Sequence, residues 1–226
     1  PSCANPTAEM IASCAAQAER ILASTVRLEF HGLAGGIGHA TVVGGRYLIT
    51  HNHYPATAAV LKNGGEDQVT ALSVFKANGD IILLKAPISY FQVVREEPQM
   101  LILDFQEYSG VGFLDSLGVA SAEFRGGDDV LPQMGSEVAQ IDWDGATAHV
   151  IWARVTALHP NGSTPSIELN SYVQQGASGG GVFYNGFHIA NNWSRNIDRL
   201  ADTGQIVRQY SVAALNTSQV AAMGNY

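Results

Sequence analysis

Residues 38–53 read GHATVVGGRYLITHNH, two short apolar and β-branched runs on either side of Gly44-Gly45. Runs of this length and composition, cut by glycine, mark strands joined by tight turns rather than a helix. The texture continues outward. Before and after it stand VRLEFHG (from 26), VTALSVFKANGD (from 69), IILLKAP (from 81) and MLILDF (from 100). Beyond a Gly-rich stretch at 110–128 a second set follows: SEVAQIDWDG (from 136), HVIWARVTAL (from 149), SIELNSYV (from 166), GVFYNGFHIANNW (from 181) and IVRQYSVAAL (from 206). The pattern predicts an all-β chain in which two barrels of similar size account for the length. The units are an extension over 1–24, a first barrel over 25–115 and a second over 116–226. In the extension, Ala8–Ala23 carries Ile11, Ala15, Ala18 and Ile21 or Leu22 at helical spacing, so a short amphipathic helix precedes the strands. A closing helix is weakly signalled over Ser211–Met223.

Composition narrows the function classes. The chain has 226 residues, 46% apolar content and a net charge of −8 with 12 Lys and Arg, which describes a globular chain with ample core. No basic block or basic-aromatic stripe supports nucleic-acid binding, and every apolar run is too short to span a membrane as a helix. Cys3 and Cys14 are the only cysteines. A disulfide clip for the amino-terminal segment and two free buried thiols both fit their spacing, whereas a zinc site does not, because no CxxC pair exists. With Pro1 in place of an initiator Met, the bridged reading points to a processed, exported product. Sequons for glycosylation stand at Asn161, Asn192 and Asn216.

Chemistry concentrates in Gly176-Ala177-Ser178-Gly179-Gly180. Four small neighbours leave the Ser178 hydroxyl open and let the backbone approach a substrate, so the amides of Gly176 and Ser178 can converge on an oxyanion. A plain hairpin loop has the same composition. A serine nucleophile needs a base, and Thr50-His51-Asn52-His53 ends a strand-like run with both histidines on one side if the strand persists. An HxH pair also binds metals, but no third ligand follows at close spacing, and no metal or other cofactor is expected. The candidate carboxylate is Asp80, at the mouth of the apolar run Ile81–Leu84, where burial is tolerable if backbone N–H groups and an imidazole bond it. The alternative for Asp80 is a turn residue facing water.

Together LITHNHY, GDIILLK and GASGGGVF resemble the three active-site segments of the chymotrypsin-like serine peptidases, in the same His, Asp, Ser order. The likeness runs over most of residues 25–215 and is nearer to the bacterial HtrA and glutamyl endopeptidase groups than to vertebrate trypsins. It implies two antiparallel six-stranded β-barrels with the site between them. It also implies His53 as base, Asp80 as its orienting partner, Ser178 as nucleophile, and the Gly176 and Ser178 amides as oxyanion hole. His51 is then a neighbour. The implied partner is a peptide or protein substrate, added as a strand near Asn192–Ser194. A catalytically silent binding homologue on the same scaffold is the alternative.

Chain order alone removes two rival hydrolases. An α/β-hydrolase needs an acid and then a histidine after the serine, but no acid lies between Ser178 and the last histidine, His188. A subtilisin order needs an Asp before the His, yet the first Asp is Asp67. One departure from trypsin is informative: Ala177 stands where trypsin-like members carry the Asp that pairs with a newly cut terminus, so that activation switch is not expected. In this fold the specificity pocket is walled by the residues before the serine and the strand after it. Here these include Tyr172, Gln175, Asn192, Trp193 and Ser194, all uncharged. Cleavage after a neutral side chain is therefore expected, with His188 the one opening towards an acidic residue.

Overall fold

The structure is a computed structural model and describes residues 2–32, 35–51, 69–97, 100–105, 113–125 and 131–216. A helix α1 (Ile11–Ala23) leads into β1 (Thr25–His31), β2 (Gly36–Val43), β3 (Tyr47–Thr50), β4 (Ala71–Lys76), β5 (Ile81–Pro87), β6 (Phe91–Glu97) and β7 (Met100–Phe105). A one-turn helix at Phe113–Ser116 precedes β8 (Glu137–Trp143), β9 (Ala148–His159), β10 (Ser166–Leu169), β11 (Gly181–Tyr184), β12 (Phe187–Arg199) and β13 (Ile206–Leu215).

Alternation makes the sheets. On β1, Val26, Leu28 and Phe30 are buried while Arg27, Glu29 and His31 between them are half-buried, so one face is committed to a core. β1–β7 form an antiparallel seven-stranded sheet in the order β5-β4-β1-β2-β3-β7-β6. β8–β13 close into a barrel in the order β10-β13-β12-β11-β8-β9. Each has its own apolar centre, around Val26, Leu28, Val42, Leu48 and Leu103 in the first and Val138, Val155, Ile167, Val182 and Leu215 in the second.

Two details differ from the sequence reading. The first unit gains β6, absent from the strand list because FQVVREE is charged and follows a 3-10 turn (Ile88–Tyr90) without a glycine break. Its sheet ends, β5 and β6, are not paired with each other among the described residues. At the other end, Ser211–Leu215 belong to β13, paired with β12 and β10 and with Ser211, Ala213, Ala214 and Leu215 buried, so sheet pairing prevails over the weak helical signal. Residues 217–223 lie outside the described residues.

The segment between the two units pairs with both of them. Ala122 N–H donates to Val42 C=O (2.8 Å), Arg125 N–H donates to His188 C=O (2.9 Å), and His188 N–H donates to Glu123 C=O (2.8 Å). The amino-terminal extension is also fixed. Cys3 and Cys14 form a disulfide, Glu137 accepts bonds from the Cys3 N–H (2.7 Å), the Ala4 N–H (3.2 Å) and the Ser2 hydroxyl, and Ile21 packs with Ala139 and Ile141. Partial burial pushes the Glu137 carboxyl up, but those hydrogen bonds outweigh it and hold the group below its ordinary value. No helix among the described residues is long and apolar enough to cross a membrane.

Candidate active site

The loop carrying Ser178 runs from β10 into β11 and lies against the first sheet. Its glycines are there for close approach. A β-carbon on Gly176 (φ +106°) would lie 2.6 Å from Trp143 Cδ1, and one on Gly179 (φ +83°) would lie 2.1 Å from Thr50 Oγ1 and 2.2 Å from the His39 carbonyl oxygen. Only glycine accepts both the space and the backbone angle. Ala177 is fully buried against Trp143 and Val173, which fills with an apolar group the place where trypsin-like chains carry their Asp.

Hydrogen bonds fix the loop one peptide unit at a time. Ala177 N–H donates to Gln174 C=O (3.1 Å), Gly179 N–H to Asn192 C=O (2.9 Å) and Gly180 N–H to Ala177 C=O (3.0 Å). The Asn192 side-chain amide donates to Ala177 C=O (3.1 Å) and Ile141 C=O (2.7 Å). Since C=O and N–H point in opposite directions across a trans peptide, anchoring the Ala177 carbonyl aims the Ser178 N–H away from Asn192. Among the described residues neither the Gly176 N–H nor the Ser178 N–H has an acceptor. These two amides are the pair an oxyanion would need, and Ser178 itself is partly exposed.

A buried polar network supports this loop, and sequence reasoning missed it. Gln140 donates to Asn192 Oδ1 (2.8 Å) and Ser211 Oγ (3.1 Å), while its own carbonyl accepts from Ser171 Oγ. Asp142 accepts from Gln174 N–H (2.9 Å). These residues sit in strands β8 and β13 or beside them, far apart in sequence; the only local trace is a polar residue at an inward strand position, such as Gln140 between Ala139 and Ile141.

The expected site residues are placed as follows. His51 is buried, and its Cδ2 would lie 3.0 Å from a β-carbon on Gly179, so β3 delivers the chain directly to the Ser178 loop. His53 lies outside the described residues. Asp80 is exposed in the β4–β5 turn, accepting from Asn78 Nδ2 (3.2 Å) and donating its N–H to Asn78 Oδ1 (2.9 Å). Of the two settings open to Asp80 in the sequence, the described residues show the water-facing turn, closed by Asn78, while its expected partner His53 lies outside them. On β7, Asp104 is buried but committed to Arg46, with Nε at 3.1 Å. No group of three or more His, Cys, Asp and Glu converges among the described residues as a metal site would.

Beside Ser178 opens a cavity of about 390 Å³ lined by Gln175, Asn192, Trp193, Ser194 and Arg195 among others. Tyr172 is joined to it through Arg195, whose guanidinium lies 5.1 Å from the Tyr172 ring centroid. The cavity wall therefore carries one positive charge, whereas the wall expected from sequence was uncharged. His188 does not turn inward: Nε2–H donates to Asn191 Oδ1 (3.0 Å), Nδ1 accepts from Asn216 Nδ2 (2.9 Å), and burial lowers its pKa to about 4. Past Asn192, β12 is paired with β13 on one side, whereas its pairing with β11 ends at Asn191, so an edge is open beside Ser178.

No family model and no curated protein matches the sequence. Solved structures do match in shape. The HtrA-type protease AlgW, with a bound tripeptide, aligns with a TM-score of 0.61 at 16% identity, over 92% of this chain and 61% of that one, so this chain spans under two thirds of its length. The Rv3671c protease aligns with a TM-score of 0.57 at 16% identity, over 97% and 95% of the two chains. Deg5 aligns with a TM-score of 0.61 at 16% identity, over 84% and 88%, and the protease of tobacco vein mottling virus with 0.56 at 12% identity, over 90% and 82%. The chain thus has the fold of the chymotrypsin-like serine proteases, with HtrA-type members among its structural neighbours; in place of two six-stranded barrels it shows one closed six-stranded barrel and one seven-stranded sheet whose ends are not paired among the described residues.

Proposed function

We propose that the protein is an exported serine endopeptidase that cleaves peptide bonds through an acyl-enzyme on Ser178. The observation that carries this reading is the loop at Gly176–Gly180, where the amides of Gly176 and of the partly exposed Ser178 have no acceptor among the described residues while the intervening and following amides are bonded. In this reading His53 takes the proton from Ser178 as its oxygen attacks the substrate carbonyl, Asp80 orients the imidazole, and the Gly176 and Ser178 N–H groups bind the developing oxyanion. Water then releases the acyl group with His53 again as base. The substrate chain pairs with the open edge of β12 and places a side chain in the cavity beside Ser178. Export is supported by the Cys3–Cys14 disulfide, which persists in an oxidising compartment.

The test is covalent labelling with a fluorophosphonate, followed by peptide hydrolysis in variants. Ser178→Ala abolishes labelling, and Ser178→Ala or His53→Ala reduces turnover to the residual rate of the oxyanion hole and binding alone. His51→Ala loses far less, and Asp80→Asn costs about 10⁴-fold if it sets the imidazole tautomer. A folded protein that neither labels nor hydrolyses any peptide is the silent homologue instead.

A further inference from the structure

We propose that His39 is the positioning residue that locks the nucleophile loop into its oxyanion-binding shape and ties that loop to the strand leading to the catalytic histidine. The proposal rests on the peptidase reading for its consequence and on geometry alone for its existence.

His39 is fully buried on β2 and engages both sides of Ser178. Its ring Nδ1–H donates to the Gly176 carbonyl (2.8 Å), and its backbone N–H donates to the Ser178 carbonyl (2.8 Å). Its own carbonyl accepts from Thr50 Oγ1 (2.7 Å), at the end of β3. The ring lies 5.1 Å from that of Trp143, which also abuts Gly176. One residue of the first sheet therefore grips two carbonyls of the second unit's loop and one hydroxyl of the histidine-bearing strand.

The consequence follows peptide by peptide. The Gly176–Ala177 unit is held at its carbonyl by His39 and at its N–H by Gln174. The Ser178–Gly179 unit is held at its carbonyl by His39 and at its N–H by Asn192. With those two planes fixed, rotation at Gly176 and Ser178 is restrained, and their unclaimed amides stay convergent. Without the imidazole bond, Gly176 is free to turn its peptide, as glycine does at little cost. The ring is a poor base in this arrangement. Burial lowers its pKa to about 4, which keeps it neutral with the proton on Nδ1 facing the Gly176 carbonyl and leaves its unprotonated Nε2 enclosed away from solvent.

Two variants separate positioning from bulk. His39→Phe keeps a ring against Trp143 and loses the donor; His39→Asn restores an N–H near the place of Nδ1. The expected result for His39→Phe is a kcat loss of about 10²-fold, the scale of one oxyanion-hole donor, with KM within threefold of the parent. A peptide aldehyde, whose adduct carries the oxyanion, weakens in parallel, a product peptide does not, and His39→Asn recovers at least tenfold in kcat. Amide hydrogen exchange at Ala177 and Gly179 accelerates in His39→Phe whether or not the parent is active. Unchanged exchange overturns the clamp. So does a kcat within threefold of the parent, a change confined to KM, or a folded His39→Asn no better than His39→Phe. A parent that exchanges as expected but neither labels nor hydrolyses overturns the peptidase reading and leaves the clamp standing.

Discussion

At the residue scale, the loop at 176–180 shows how small side chains let the backbone around Ser178 pack against Thr50, His39 and Trp143. Gly179→Ala places a methyl group about 2 Å from Thr50 Oγ1 and the His39 carbonyl and forces a side chain into a positive-φ conformation. The expected outcome is a loss of stability of about 2 kcal/mol or more together with loss of fluorophosphonate labelling, measured by thermal melting and a gel-based labelling assay. Retained labelling at parent rate contradicts the packing described. Arg195 makes the second residue-scale prediction. Among the described residues no carboxylate pairs with it, and it lines the cavity beside Ser178. A substrate Lys or Arg entering that cavity meets a like charge, so basic residues are cleaved poorly. Arg195→Glu is expected to raise kcat/KM for a Lys-bearing peptide relative to a Glu-bearing one by about tenfold, a modest figure because Arg195 is exposed and screened. Equal ratios in parent and variant remove Arg195 from the pocket.

At the element scale, the strands other than β6 and the first helix are legible in the sequence through their apolar, β-branched runs and helical spacing. α1 occupies Ile11–Ala23 within the Ala8–Ala23 pattern, and every strand-like run named from the sequence contains strand residues. What stayed hidden depends on the third dimension. Ser178 and its small neighbours announce themselves in sequence, but Gln140, Ser171 and Ser211 reach each other only when β8, β13 and the loop after β10 are brought together. Arg195 escaped because β12 carries a bulge between Asn192 and Ser194, which shifts which residues face the cavity. For Asp80 the apolar run behind it and the turn before it point to opposite settings, and Asn78 holds it in the turn. The amino-terminal clip gives a prediction of its own. Reduction of Cys3–Cys14 removes a short cross-link worth about 2–3 kcal/mol to local order, and Glu137→Gln weakens the three bonds that seat residues 2–4. Because the folded Glu137 is held below its ordinary value of 4.5, this anchoring is present above that pH and lost as pH falls through the folded value. Hydrogen exchange of residues 2–10 checks both: either change speeds exchange there. No difference between parent and Glu137→Gln at neutral pH means that the carboxylate does not hold the segment.

At the scale of the whole molecule, two of the buried imidazoles among the described residues, His39 and His188, bear on how the fold responds to acid. His39 bonds the Ser178 loop from the first sheet, and His188 bonds Asn191, Asn216 and the segment that joins the units. Burial lowers both from 6.5 to about 4. Between those values the unfolded chain takes up protons that the folded chain refuses, so acid favours unfolding. The stabilisation is fully present above about pH 6.5 and is lost as pH falls towards 4, by up to about 3 kcal/mol for each histidine. Against a typical folding free energy of about 5–15 kcal/mol that is a large share. The expected outcome is a melting temperature that is flat above pH 7 and falls steeply below 6, with uptake of about two protons from this pair on unfolding near pH 5, read by calorimetry in buffers of different ionisation enthalpy. His188→Gln, which keeps a neutral hydrogen-bonding side chain, removes one of the two protons and flattens the slope even though its melting temperature at pH 7 is lower. Because these two groups titrate through unfolding and not through catalysis, a loss of turnover that begins at higher pH than the fall in melting temperature belongs to another imidazole. A melting temperature unchanged from pH 7 to 5 shows that neither histidine is held neutral by the fold.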